Sequence, residues 1–304
     1  MANMNDTAEQ GALTITLNNG VELPAVGLGV LQSEGGEATA AVSTALQAGY
    51  RLIDTAAAYF NEREVGAGIR ESGIDRSEIF LTTKLWLTDY GFDDALRAFD
   101  TSTAKLGVDY VDMYMLHWPW PANAERTTAA YKAAERLLTE GRVRAIGVAN
   151  FKPAHLRSLL AETDIVPAVN QIELHPNFQQ PEQVSLHREL GITTQAWSPI
   201  GGVYGWAGEN GAVPPLKNET ILAIAEVQGK TPAQVILRWH LQQGRSVIPK
   251  SVSPQRISEN FEVFDFELGA EDMTAIRKVD TGIRGAIDPD EATPDAIDLT
   301  IDAA

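Results

Sequence analysis

Short apolar runs alternate with longer stretches of helical period along nearly the whole chain. Leu52-Ile53, Ile79-Phe80-Leu81 and Met113-Tyr114-Met115-Leu116 read as buried strands, and the segments between them space their apolar residues as helices do. Ala38, Val42, Ala45 and Leu46, for example, share one face of a helix that Gly49 stops. Strand ends are expected near Gly29, Asp54, Lys84, His117, Ala149, Gln171, Trp197 and Pro249. Eight such units predict an α/β chain folded as a closed parallel barrel, the (α/β)8 or TIM architecture, rather than an open sheet. Ahead of the barrel, Leu13 to Leu17 and Val21 to Leu23 flank Asn18-Asn19-Gly20. The Asn-Gly step supplies the positive φ angles of a tight turn, so an N-terminal β-hairpin is expected.

The gap from Trp197 to Pro249 is longer than the others and holds a glycine-rich stretch, Gly201 to Pro215, ahead of two helices. Thr231-Pro232-Ala233-Gln234 carries the N-cap, N1 proline and N3 glutamine of a capped start, which fixes the second helix. The glycine-rich stretch is either a mobile lid or a long connection, and its length favours a lid. Residues 1–11 are expected to be disordered. The segment 282–304 holds six acids and one arginine, with Pro289 and Pro294 interrupting any helix, and its last ten or so residues are expected to be irregular and solvated.

Composition narrows the class of function. A chain of 304 residues with 44% apolar content fits one barrel domain spanning 1–304. A net charge of -17 repels nucleic acid and anionic membrane surfaces, so neither is an expected partner. The absence of cysteine excludes disulfides, thiolate catalysis and Cys-ligated metal. The start MANMNDTAEQ lacks a secretory signal's basic and apolar regions, and no apolar window is long enough to span a bilayer, so a cytoplasmic location is expected.

Asp54, Lys84 and His117 each stand at or just past the end of an apolar run, with Tyr59 just downstream of the first. Residues at strand C-termini of a parallel barrel converge on one mouth. There Asp54 and Lys84 are expected to pair, because a charge inside the mouth is costly without a partner, and pairing keeps the lysine protonated. An adjacent ammonium favours the ionised form of a phenol, which makes Tyr59 a proton donor near neutrality. His117 would hydrogen-bond the carbonyl oxygen that Tyr59 protonates. The bland alternative is a barrel-closing salt bridge, a half-buried tyrosine and a core histidine. His155, His175, His187 and His240 read as structural.

A cofactor site is also indicated. Val26-Gly27-Leu28-Gly29 begins like a dinucleotide fingerprint but has Gln32 where the third glycine should fall, so a Rossmann reading fails. Ile248-Pro249-Lys250-Ser251, followed by Ser253-Pro254 at a helix start, offers Lys250, Ser251 and Arg256 to a phosphate monoester.

The motifs together resemble the aldo-keto reductase superfamily over roughly residues 13 to 285. The resemblance runs through Gly49 to Ala56 with Tyr59 and Asn61-Glu62, Thr82 to Trp86, Leu116 to Pro119, Gly147 to Phe151, Val169 to Glu173, and Ile248 to Ser251 with Arg256, Glu259 and Asn260. It implies an NADPH/NADP+ cofactor bound without a Rossmann fold, no metal, a catalytic tetrad of Asp54, Tyr59, Lys84 and His117, and a small carbonyl substrate. It also implies that Asn150 and Gln171 hold the carboxamide, Trp197 stacks on the nicotinamide, and Ser198, Pro199 and Ile200 line the pyrophosphate. Lys250, Ser251 and Arg256 would grip the 2′-phosphate, and Glu259 with Asn260 the adenine. Ala149 stands where many members carry a serine, a departure worth about 0.5–1.5 kcal/mol of cofactor affinity. Trp86, Trp118 and Trp206 would frame the substrate pocket, while Trp239 reads as core.

Within the family, the short loop after His117 and the compact tail look most like the prokaryotic branch that includes 2,5-diketo-D-gluconate reductases. A monomer acting on aldehydes, ketones or keto-sugars is the expectation. Two other classes remain open. One is an NADPH-binding redox sensor or scaffold barrel with little turnover. The other is a barrel hydrolase using Asp54 and His117 as metal ligands, a reading short of clustered histidines.

Overall fold

A computed structural model of the protein describes residues 4–5, 13–33, 35–201 and 213–296. Three short antiparallel strands, β1 (Met4–Asn5), β2 (Thr14–Thr16) and β3 (Glu22–Pro24), lie side by side in that order. The turn between β2 and β3 is the expected one: Gly20 has φ 83°, and Leu17 and Val21 are joined by a 2.9 Å backbone hydrogen bond. Of residues 1–11, expected to be disordered, Met4 and Asn5 pair with Ile15 and Thr14. Edge pairing gives those two residues backbone partners that the sequence pattern does not announce.

Eight parallel strands follow: β4 (Leu28–Gly29), β5 (Leu52–Asp54), β6 (Phe80–Leu85), β7 (Val111–Leu116), β8 (Val143–Ala149), β9 (Val169–Glu173), β10 (Thr193–Trp197) and β11 (Ser246–Val247). They neighbour one another in chain order, and parallel bridges from Val26 to Val247 and from Gly29 to Lys250 join the first edge to the last. The barrel is therefore closed, as the βα repetition predicts. Expected and observed strand ends coincide at Gly29, Asp54, Ala149 and Trp197; β6 and β9 run slightly past Lys84 and Gln171, and β11 stops before Pro249.

The connecting helices are α1 (Gly36–Gln47), α2 (Glu62–Ser72), α3 (Phe92–Leu106), α4 (Ala124–Thr139), α5 (Pro153–Leu160), α6 (Pro181–Leu190), α7 (Glu219–Gln228), α8 (Pro232–Leu241), α9 (Pro254–Phe261) and α10 (Ala270–Arg277). The start of α8 is the predicted capping box: Gln234 N donates to Thr231 Oγ1 at 3.2 Å, and Thr231 N to Gln234 Oε1 at 2.9 Å.

Two apolar clusters hold the barrel. The larger packs the helices on the outside of the strands. The smaller joins Leu17 and Leu23 of the hairpin to Leu52, Phe80, Met113, Ala145 and Val169 near the strand N-termini. The hairpin thus plugs the bottom of the barrel, and Asn18 and Asn19 fix it there by donating to the carbonyls of Pro167 and Arg144. The top is left for polar groups.

The C-terminal segment is held against the barrel ahead of the last ten or so residues expected to be solvated, of which 297–304 lie outside the described residues. Glu173, buried at the end of β9, accepts the backbone N–H groups of Gly285 at 2.8 Å and Ala286 at 3.1 Å. Lys152 pairs with Asp288 and Asp290, and Ala296 reaches the rim of the top cavity. A carboxylate that needs donors draws the chain back over the barrel. Among the described residues no helix is long and apolar enough to cross a membrane. Most of the glycine-rich stretch, with Trp206, lies outside the described residues.

Candidate active site

At the top of the barrel the strand ends enclose a cavity of about 550 Å³, a size that suits a ligand site. Asp54, Tyr59, Trp86, His117 and Trp118 all line it. Lys84 sits behind this lining, fully buried on β6, whose six residues are all shielded from solvent. Its Nζ pairs with Asp54 Oδ1 and donates to the carbonyl of Thr55 at 3.0 Å and to Tyr59 OH at 3.4 Å. Three acceptors hold one ammonium in place, so it bridges the carboxylate and the phenol. A short 3-10 turn, Ala57–Tyr59, aims the tyrosine inward.

The electrostatics follow from burial. Burial pushes the Asp54 carboxyl up and the Lys84 ammonium down from their ordinary values, while their mutual attraction opposes both shifts. At Lys84 burial outweighs the pairing, a direction opposite to the one pairing alone predicts. His117 is held well below the ordinary histidine value, first by burial and then by the charge of Lys84. It is therefore a neutral imidazole near pH 7. Its ring stands edge-on to Tyr59 and Trp86 at 5.5 and 5.2 Å, and its buried Nδ1 has no hydrogen-bond partner among the described residues.

Further groups converge on the same cavity. Asn150 donates to the His117 carbonyl at 3.0 Å and accepts from Trp197 Nε1 at 2.9 Å. Gln171 Nε2 donates to Asp54 Oδ2 at 2.7 Å and to Gln195 Oε1 at 2.8 Å. Asn150 and Ser198 adopt left-handed backbone at φ 66° and 47°, a conformation most residues avoid and one that clusters at functional sites. Ser198, Pro199, Ile200 and Lys250 complete the rim. Ser251, Arg256, Glu259 and Asn260 lie outside the cavity lining, on the connection after β11 and on α9. There Arg256 is exposed, and Glu259 accepts from Gln255 at 2.7 Å.

Sequence reasoning misses Gln195 and the Gly285–Ile287 segment. Gln195 sits among other polar residues in the strand Thr193–Trp197 with nothing to single it out, and the tail follows an irregular stretch whose anchor, Glu173, is more than a hundred residues away. The four histidines read as structural are engaged with protein groups: His187 with Asn170, Gln183 and Thr194, His240 with the Pro199 carbonyl, His175 with Glu173, and His155 with Asp290.

The chain matches the Aldo/keto reductase family over residues 25–281 and belongs to it. It is 53% identical to the morphine 6-dehydrogenase of Pseudomonas putida over 281 residues, which cover 90% of this chain and 94% of that protein. It is 45% identical to the glyoxal reductase of Bacillus subtilis, over 91% of this chain and 96% of the relative. Among solved structures, a mutant of Gox0644 in complex with NADPH superposes with a TM-score of 0.84 at 43% identity, covering 92% of this chain and 98% of that one.

Proposed function

We propose that the protein reduces carbonyl groups to alcohols with NADPH, using Tyr59 as proton donor. The observation that carries this reading is Lys84 Nζ, 3.4 Å from Tyr59 OH, beside a histidine held neutral. A neutral imidazole can donate a hydrogen bond to a carbonyl oxygen but has no surplus proton to give up, which leaves the acid's part to the phenol. The ammonium at its oxygen stabilises the phenolate that remains, and Asp54 holds that ammonium in position. His117 orients the substrate oxygen within reach of Tyr59. When bound, the reduced nicotinamide supplies the hydride.

The residues present fit such a cofactor. Ser198 Oγ is buried with no partner among the described residues, and Gln171 Oε1 makes no hydrogen bond there. Asn150 and Gln171 would hold the carboxamide, Trp197 would stack on the ring, and Ser198 to Ile200 would line the pyrophosphate. Lys250, Ser251 and Arg256 would take a 2′-phosphate outside the cavity, with Glu259 and Asn260 beyond for the adenine. Lys250 and Arg256 are exposed, in keeping with a phosphate bound at the surface. The glyoxal reductase and the NADPH-bound relative support both halves of the proposal. We read the substrates as small aldehydes and ketones, including keto-sugars of the 2,5-diketo-D-gluconate type, held between Trp86 and Trp118 by a cytoplasmic monomer.

The test follows NADPH oxidation with a panel of aldehydes, diketones and keto-sugars, run beside Tyr59→Phe. Turnover in the wild type that vanishes in a variant still binding NADPH is the expected result. Undiminished turnover in Tyr59→Phe would refute the role of the phenol, and NADPH binding without turnover of any carbonyl would favour a redox sensor.

A further inference from the structure

Gln171, Gln195 and Ser246 are register neighbours on β9, β10 and β11, so they share one face of the sheet. All three are buried, Gln195 and Ser246 completely. They form a directed chain of hydrogen bonds. Ser246 Oγ donates to the Pro24 carbonyl at 3.4 Å, Gln195 Nε2 donates to Ser246 Oγ at 3.0 Å, and Gln171 Nε2 donates to Gln195 Oε1 at 2.8 Å. The second proton of Gln171 Nε2 goes to Asp54 Oδ2.

Both ends of this chain are groups that can only accept, a backbone carbonyl and a carboxylate. That fixes every direction between them. Ser246 gives its single proton to Pro24, so it must accept from Gln195 Nε2. Gln195 must then present Oε1 to Gln171, which can answer only with Nε2. A turned Gln195 amide would set two N–H groups against each other, in a site where an unpaired amide is costly. The polarity of Gln171 is thus set from both sides.

From this we infer that Gln195 is a positioning residue, which locks the Gln171 amide so that it offers the cavity an acceptor, Oε1, and no donor. The inference rests on the proposal that Gln171 faces the cofactor carboxamide. Its consequence is chemical selectivity. The ligand group opposite Gln171 must donate a proton, as a primary carboxamide does through its NH2, whereas a methyl ketone at the same ring position offers only an acceptor.

The test compares binding of NADP+ and of its 3-acetylpyridine analogue, which replaces the carboxamide NH2 by a methyl group, by titration calorimetry. Binding rather than turnover is read. The wild type should prefer NADP+ by about five-fold, the worth of one hydrogen bond. Gln195→Met keeps the volume but removes one of the two acceptors that hold Gln171 Nε2, so the amide can swing about its remaining bond to Asp54 and Oε1 loses its fixed aim, and the preference should fall to within about two-fold. NADP+ should lose affinity, and the analogue should lose little or none. A purely structural role would weaken both ligands by the same factor, and that result would overturn the inference while leaving the cofactor reading intact. Should Gln195→Met fail to fold, Ser246→Ala carries the test with a smaller perturbation. It releases Gln195 Nε2 and should lower the preference in the same direction, and an unchanged preference would overturn the inference. A wild type that binds neither ligand would instead overturn the cofactor reading.

Discussion

Lys84→Met isolates the central claim about the site, that a buried charge is tolerated because it is paired. In the wild type Asp54 is 1% exposed and receives Lys84 on one oxygen and Gln171 on the other. Removing the ammonium leaves a carboxylate held by one neutral side-chain donor. Breaking a buried pair from one side costs about 3–5 kcal/mol. For a chain of 304 residues the unfolding entropy is about 640 cal/mol/K, so the melting midpoint should fall by about 5–8 °C. Asp54→Asn should also destabilise, leaving the ammonium with Thr55 O and Tyr59 OH. The double variant Asp54→Asn/Lys84→Met should lose less than the sum of the two, by about 1–3 kcal/mol, because no charge is then stranded.

The pH dependence follows from the sign of the shift. Burial already raises the Asp54 pKa, and without Lys84 the opposing attraction is gone. A carboxyl whose folded pKa exceeds its unfolded value, near ~3.9, keeps full stability below that value and loses it as pH rises through the folded pKa. The deficit of Lys84→Met against the wild type should therefore grow as pH rises from about 3.9 towards neutrality and shrink as pH falls back. Urea denaturation across that range measures it. A deficit independent of pH, or single losses that simply add in the double variant, would refute the reasoning.

Two other predictions concern groups away from the chemistry. Burial pushes His187 down to about 3, so its contribution is full above the ordinary histidine value and is lost as pH falls from about 6.5 towards 3; His187→Gln should flatten the acid slope of stability by about 1.4 kcal/mol per pH unit, and an unchanged slope in denaturant melts at pH 7, 6 and 5 would contradict it. Lys152 joins the tail to α5 through Asp288 and Asp290, both more than a third exposed, so Lys152→Ala should alter global stability by less than about 1 kcal/mol yet speed proteolysis within the tail several-fold at low salt, a difference that high salt should erase.

The barrel was legible because its signal is local. Strands such as Leu52–Asp54, Phe80–Leu85 and Val111–Leu116 are short runs of residues shielded on both faces, and the helix at Pro232 announces itself by its cap, Thr231 to Gln234. The convergence of Asp54, Lys84 and His117 followed from strand order alone, since the topology brings strand ends together whatever lies between them. What escaped has non-local causes. Gln195 gains its meaning only from Gln171 and Ser246 on the adjoining strands, and the tail is placed by Glu173. The direction of the Lys84 shift escaped for a related reason: sequence supplies the partner but not the depth of burial, and here depth wins.

This division of labour explains how one barrel supports both a stable core and a site rich in buried polar groups. At the strand N-termini the hairpin side chains Leu17 and Leu23 close an apolar plug against Leu52, Phe80 and Met113, where burial stabilises without polar cost. Toward the other end, Asp54, Lys84, Gln171, Gln195 and Ser246 are as deeply buried, and each is costly unless its neighbours satisfy it. The hydrogen-bond chain meets that requirement, and in doing so it removes the rotational freedom of the groups that face the cavity. The connectivity that makes the upper layer tolerable therefore also preorganises it, so a substitution that loosens one member should disturb its neighbours before it disturbs the fold.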